Sequence, residues 1–179
     1  MRLLSSWLFV GVLLGLCVPM CRAGSISDYL TTGGQLKHTL EFQDVQGGIA
    51  GFTGTAWIIE PSGEWRVVPF HNTPRGTPLR QGKLTDAQAA ALATHLAIQD
   101  FLTLPKQLGG APPVNPRQLT IRFGDKATTL VWRPGADLTE VVPPPQDPQT
   151  AEWARFVVLA LVIDYWTKGE KPDGKNYPK

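Results

Sequence analysis

Apolar and polar residues alternate with a period of two along five segments of the chain, which is the pattern of half-buried β-strands. In the first of them, Leu36, Leu40 and Phe42 alternate with Lys37 and other polar residues. The other four show the same alternation. The predicted strands are residues 36–43, 53–59, 64–70, 119–123 and 128–132.

Glycines separate the first two predicted strands. The run Gly-Gly-Ile-Ala-Gly predicts a hairpin loop of unusual geometry, because glycine accepts positive φ and lets the backbone of a neighbour come close. Polar turns join the other predicted strand pairs, Pro61-Ser62-Gly63 in one case and Gly124-Asp125-Lys126 in the other. Both pairs are therefore predicted to be antiparallel.

Two segments have helical signals. Thr85, with Gln88 three residues later, predicts a capping box that starts a helix extending to Leu102 or Leu104, before Pro105. Asp147 followed by Pro148 predicts the start of a second helix that ends near residue 167. The apolar side of the first helix is predicted to hold Ala89, Leu92, Ala93 and Leu96.

The order of these elements, βββαββα, predicts the α+β class. We expect a mainly antiparallel sheet of about five strands with two helices packed on one face. The second helix is apolar almost all round from Phe156 to Ile163, which indicates burial against the sheet or contact with a partner. Its charge-free run is too short to cross a bilayer. The intervening residues 134–149, with three consecutive prolines, are expected to form an extended connector.

The first 23 residues have the pattern of an export signal. Arg2 precedes an apolar stretch from Trp7 to Val18, and Ala23 provides a small residue at a cleavage site. We expect cleavage and a secreted or periplasmic protein. Lipoprotein anchoring is less favoured, because Leu16 and Met20, which are not small, precede the cysteines.

Both cysteines of the chain, Cys17 and Cys21, lie inside this signal. The mature chain would therefore lack the residue that a disulfide scaffold, a thiolate metal site or a cysteine nucleophile requires. Cleavage also removes Arg2 and Arg22 from the 17 basic residues and none of the 15 acidic ones, which leaves 15 of each. A neutral chain gives no indication of nucleic-acid binding. We expect a flexible lead-in at 24–35, one domain at 36–167 and a disordered tail at 168–179.

Few side chains are arranged for catalysis. His38, His71 and His95 have no metal-binding spacing, and each is interpreted as structural or as a loop or helix-edge residue. Neither a nucleophile elbow nor a phosphate-binding glycine loop is present. We therefore expect no enzymatic activity, no metal and no cofactor.

The alternatives to a non-catalytic protein rest on acidic and aromatic residues. Glu60 and Glu64 flank one turn and are the weak candidates for an acid and base pair. Asp164 interrupts the second helix, where a buried carboxylate would be functional and a pair with Lys168 would be ordinary. Trp65 has the opposite phase to Val68 and Phe70, which favours an exposed aromatic residue. Such a residue is typical of a protein-contact surface, and a carbohydrate-stacking surface is the less favoured alternative.

The order of several segments resembles the emfourin family, small protein inhibitors of thermolysin-like metalloproteases. The resemblance covers residues 38–166 and is carried by the glycine run after the first strand, the segment Phe-Leu-Thr-Leu-Pro at 101–105, the strand Gln-Leu-Thr-Ile at 118–121 and the last apolar helix. It implies that the chain binds and occludes a protease cleft with a backbone-rich loop. The expected contact residues are Gly47, Gly48, Ile49, Ala50, Gly51 and Phe52.

Our leading hypothesis is therefore an exported, non-enzymatic domain that binds another protein, with inhibition of a thermolysin-like metalloprotease as its specific form. The alternative is a structural or envelope-associated interaction domain that keeps the fold and inhibits nothing. Neither hypothesis includes nucleic acid or an integral membrane segment after signal cleavage.

Overall fold

The computed structural model describes residues 25–110, 114–132 and 149–168. The predicted export signal with both cysteines, nearly all of the connector with its prolines, the Asp147-Pro148 helix start and the tail beyond Lys168 lie outside the described residues.

The described residues form a single β-sheet, with seven strands in the order β4-β3-β2-β1-β7-β8-β6 and an eighth, β5, that also pairs with β3. Every pairing is antiparallel except that of β6 with β8. The strands are β1 Leu40–Gly48, β2 Gly51–Ile59, β3 Glu64–His71, β4 Thr73–Pro74, β5 Arg80–Lys83, β6 Gln107–Leu108, β7 Arg117–Phe123 and β8 Lys126–Trp132. The α+β class is confirmed. The prediction of about five strands is wrong, because β4, β5 and β6 are too short to show a hydrophobic pattern.

Two helices, α1 Asp86–Ile98 and α2 Thr150–Trp166, pack on one face of the sheet. The sheet contributes alternate residues such as Phe42, Trp57 and Ile121, which share that face by register. From α2, Trp153, Phe156 and other buried residues complete this main core. Among the described residues, no helix combines the length and the hydropathy that crossing a membrane requires.

The opposite face of the sheet carries a second, smaller apolar cluster. Its buried members come from β1, β2 and β3: Val45, Ala56, Ile58, Val68 and Phe70. The predicted exposure of Trp65 is wrong, because both faces of the sheet carry buried apolar residues. Trp65 does lie on the other face from Val68 and Phe70, but that is the helix-covered face, where its side chain is buried.

The start of α1 is confirmed and its end is not. Thr85 accepts a hydrogen bond from the Gln88 amide at 3.3 Å, and the Gln88 side chain accepts one from the Thr85 amide at 2.8 Å. The helix nevertheless ends at Ile98 rather than at residue 102 or 104. Asp100 has a left-handed backbone (φ 45°), and a short 3-10 helix, Phe101–Thr103, follows.

The segment that precedes β1 is tied to the core. Tyr29, predicted to lie in a flexible lead-in, is fully buried, and its ring lies 5.5 Å from that of Phe123. The Leu102 amide donates to the Tyr29 hydroxyl at 3.4 Å, and burial raises the pKa of Tyr29. Leu36 makes an isolated bridge with Leu30, so β1 begins at Leu40, later than predicted.

Candidate functional site

The β1–β2 hairpin projects an apolar residue into solvent. The strands run to Gly48 and resume at Gly51, so the turn itself consists of Ile49 and Ala50. The predicted loop of residues 47–52 is thus shorter than expected, because Gly47, Gly48, Gly51 and Phe52 belong to the strand ladder. Ile49 is fully exposed at 109% of its reference area. Among the described residues, Ile49 is the most exposed large apolar side chain.

Asn72 supports one side of this hairpin. The side-chain oxygen of Asn72 accepts a hydrogen bond from the backbone N–H of Phe52 at 2.8 Å. The backbone N–H of Asn72 donates to the Phe52 carbonyl, also at 2.8 Å. Asn72 has a left-handed backbone (φ 60°), a conformation that asparagine tolerates better than most residues. A Cβ on Gly51 would lie 2.2 Å from the Asn72 oxygen, so glycine at 51 leaves the space for this contact. The predicted positive φ is found at Gly51, where it is 99°.

The segment before β7 supports the other side. The Gly47 amide donates to the Pro116 carbonyl at 2.8 Å, and the Gln46 side-chain amide donates to the Asn115 carbonyl. A Cβ on Gly47 would lie 3.1 Å from Pro116, so glycine permits this close approach. Val114, next in the chain to Asn115, is 87% exposed. We call residues 47–52 with Asn72 and residues 114–116 the hairpin end.

An ion pair holds the base of the hairpin end. The Arg117 guanidinium donates to both carboxylate oxygens of Asp44, with 2.7 Å between Arg117 Nε and Asp44 Oδ1. Both side chains are mostly buried, and the pair joins β1 to β7. A forked pair of this kind restrains orientation as well as distance. The β1–β2 hairpin is therefore braced by Asn72 between β3 and β4, by the segment before β7 and by the ion pair at its base.

Sequence inspection identified the hairpin tip but missed the residues that brace it. Asn72 is 20 residues from Phe52, and Asn115 is 69 residues from Gln46. Neither pair has a local spacing signal. The positive φ at Asn72 and Asn115 becomes visible only in the folded chain.

The acidic candidates lie in two places. Glu60 and Glu64 flank the β2–β3 turn, where the Glu60 amide donates to the Glu64 carbonyl at 2.8 Å, and Asp164 lies on α2. Glu60 pairs with Arg66 at 3.0 Å and accepts from the Thr39 hydroxyl at 2.9 Å. Asp164 lies between Lys168 at 3.2 Å and Arg80 at 3.8 Å, so the predicted pair with Lys168 is confirmed. Within the ranges that the structure describes, no three His, Cys, Asp or Glu residues are grouped closely enough to hold a metal ion.

The histidines lie apart from one another in the fold. His38 falls in the predicted strand 36–43 and was interpreted as structural. It lies instead before β1 and is exposed, with its ring edge-on to Phe123 at 5.3 Å. His71 ends β3 and is exposed, and His95 is half-buried in the last turn of α1.

Elsewhere, burial lowers the pKa of Lys126, whose ammonium donates to the Leu104 carbonyl.

No family model matches the chain, and no curated protein matches it either.

Proposed function

We propose that this chain is an exported, non-catalytic domain that binds another protein through the hairpin end. The observation that carries the proposal is the full exposure of Ile49 at the tip of a hairpin braced from two sides. An exposed apolar side chain at a protruding tip gains the most free energy when a partner buries it.

The hydrogen bonds with Asn72 and Pro116 support this proposal, because they lower the conformational entropy that the hairpin tip would lose on binding. Ordering a mobile loop on binding costs free energy for every residue that becomes fixed. Here the Phe52 amide and carbonyl are already bonded to Asn72, and the Gly47 amide to Pro116. The tip therefore enters a complex with little conformational freedom left to lose.

We further propose that the partner is a thermolysin-like metalloprotease and that binding inhibits it. The support is the resemblance to the emfourin family, whose glycine run corresponds here to the hairpin tip. A two-residue turn that carries one exposed apolar side chain is narrow enough to enter a cleft, whereas a flat protein surface is not. The site of action would be the secreted or periplasmic space.

Titration of a thermolysin-like protease with the chain, expressed from its full sequence and purified, tests this proposal. We expect stoichiometric loss of peptidase activity. Ile49→Arg should weaken inhibition about thirtyfold, because an apolar contact at an interface centre contributes about 2 kcal/mol. Ile98→Arg is the matched control, since Ile98 is a 62% exposed isoleucine on α1.

Equal inhibition by the Ile49→Arg and Ile98→Arg variants would remove the hairpin end from the proposal. No inhibition by the unsubstituted chain, together with its steady cleavage, would reject inhibition for the enzymes tested. Binding of the protease without loss of peptidase activity would support the alternative, an interaction domain that inhibits nothing.

The Asn72 brace can be tested separately. Asn72→Gly keeps the left-handed backbone and removes the acceptor, whereas Asn72→Asp keeps an acceptor oxygen. We expect the Phe52 amide of Asn72→Gly to exchange with solvent about tenfold faster, as loss of a bond of about 1.4 kcal/mol implies. Asn72→Asp should exchange at nearly the original rate. Exchange of the Phe52 amide at the original rate in both variants would show that the Asn72 side chain does not brace the hairpin.

A further inference from the structure

Among the described residues, strand β5 forms an edge of the sheet. In the described part of the chain it pairs only with β3, and residues 81–83 are exposed. The Leu84 amide donates to the Gly63 carbonyl at 2.9 Å, which fixes the phase of the antiparallel ladder. Bonded positions alternate along such a ladder. Arg80 and Gly82 therefore face β3, and the backbone N–H and C=O groups of Gln81 and Lys83 face outward.

A groove of about 680 Å³ lies beside this edge, between β5, the start of α1 and the end of α2. The Trp65 ring occupies the space over Gly82, where a Cβ would lie 2.6 Å from it, and this ring lines the groove at β5. On the α2 side the groove is lined by Tyr165, which is 66% exposed, and by Trp166. These two rings pack edge to face at 5.2 Å. The groove thus places aromatic rings next to unpaired backbone groups.

The positively charged residues that line the groove favour a negatively charged partner. Lys83 and Lys168 are the charged residues that line it, and no acid does. Asp164 pairs with Lys168 and Arg80, and Glu64 lies opposite Lys83 in the β3–β5 ladder, so the three cations at this edge outnumber the two acids by one. A second copy is disfavoured, because pairing of two β5 edges would bring Arg80 and Lys83 of both copies into one four-residue ladder.

We infer that the β5 edge binds an extended acidic segment of a partner protein as an added strand. Its backbone would pair with Gln81 and Lys83, and its acidic side chains would lie near Lys83 and Lys168. Alternate apolar side chains would enter the groove against the Trp65 and Tyr165 rings. Backbone pairing supplies affinity in this mode of recognition, and the groove supplies specificity. This site is separate from the hairpin end and does not depend on protease inhibition.

Selection of a displayed library of random nine-residue peptides on the full chain tests the inference. Enriched peptides should contain Asp or Glu and alternate apolar residues. Gln81→Pro removes only the outward N–H at 81, a change that edge strands accept, and should weaken binding of these peptides about tenfold. Gln81→Ala is the matched control and should bind as the unsubstituted chain does.

Two further variants keep the test decisive if Gln81→Pro lowers the melting temperature. Lys83→Glu should weaken the acidic peptides, and Tyr165→Ser should weaken those with an apolar residue at the centre. Ile49→Arg should leave all of them bound, which separates this site from the hairpin end. The inference is overturned if selection enriches nothing, if the peptides lack acids, if all the β5 and groove variants bind equally, or if the chain dimerises through this edge.

Discussion

Replacing Gly54 with alanine is expected to destabilise the protein by about 3 kcal/mol, as overpacking against backbone does. Gly54 lies opposite Val45 in the β1–β2 ladder. A Cβ there would lie 2.1 Å from the Asp44 carbonyl oxygen and 2.8 Å from the Val45 Cα. β1 cannot retreat from this contact, because it is paired on its other edge with β7.

Urea denaturation monitored by tryptophan fluorescence measures this loss of unfolding free energy. Thr53→Ala is the control, because Thr53 is an exposed neighbour on the same strand and its loss should cost less than about 1 kcal/mol. A Gly54→Ala variant as stable as Thr53→Ala would show that β1 and β2 separate at this point without cost.

The Arg155→Met variant is expected to lose about 2 to 3 kcal/mol of unfolding free energy. Arg155 on α2 donates to the Gln99 and Asp100 carbonyls at 2.6 Å each, and to the Thr103 hydroxyl at 2.9 Å. Methionine leaves these acceptors without their charged donor, and a hydrogen bond from a charged group contributes about 1.5 to 3 kcal/mol. The same contacts join α2 to the turn that ends α1, so their loss should loosen the packing of the two helices.

Two matched variants separate the geometry of Arg155 from its charge. Arg155→Lys keeps the charge but lacks the fork, so we expect only partial recovery of stability. Arg122→Met removes an arginine that is 53% exposed and 3.9 Å from Glu41, and should cost about 0.5 kcal/mol or less. An Arg155→Met variant no less stable than Arg122→Met in thermal and urea unfolding would contradict the assigned role.

The elements that sequence inspection located correctly depend on contacts within a few residues. The capping box joins Thr85 to Gln88, three positions apart, and forms as predicted. Alternation found the five long strands, and the glycine run found the first hairpin. Their bounds were less well predicted, since β1 begins after Leu36 and α1 ends before Phe101.

The missed features depend on contacts between distant parts of the chain. β5, with the sequence Arg-Gln-Gly-Lys, has no apolar pattern and exists because β3 presents an edge to it. The turn at Asp100 lies where Arg155, 55 residues later, binds its carbonyl. The phase of Trp65 was correct, but a period of two cannot tell which face the helices cover.

By itself, the sequence determined the five long strands and the two helices, the α+β class, and the place of the glycine-bearing hairpin tip. These follow from local periodicity and from hydrogen bonds between near neighbours. The tertiary structure alone decided that Asn72 and Pro116 brace the tip and that β5, within the described residues, is paired on one edge only, beside an aromatic groove. Both depend on which backbone groups find partners across the sheet, and that is set only when distant strands come into register.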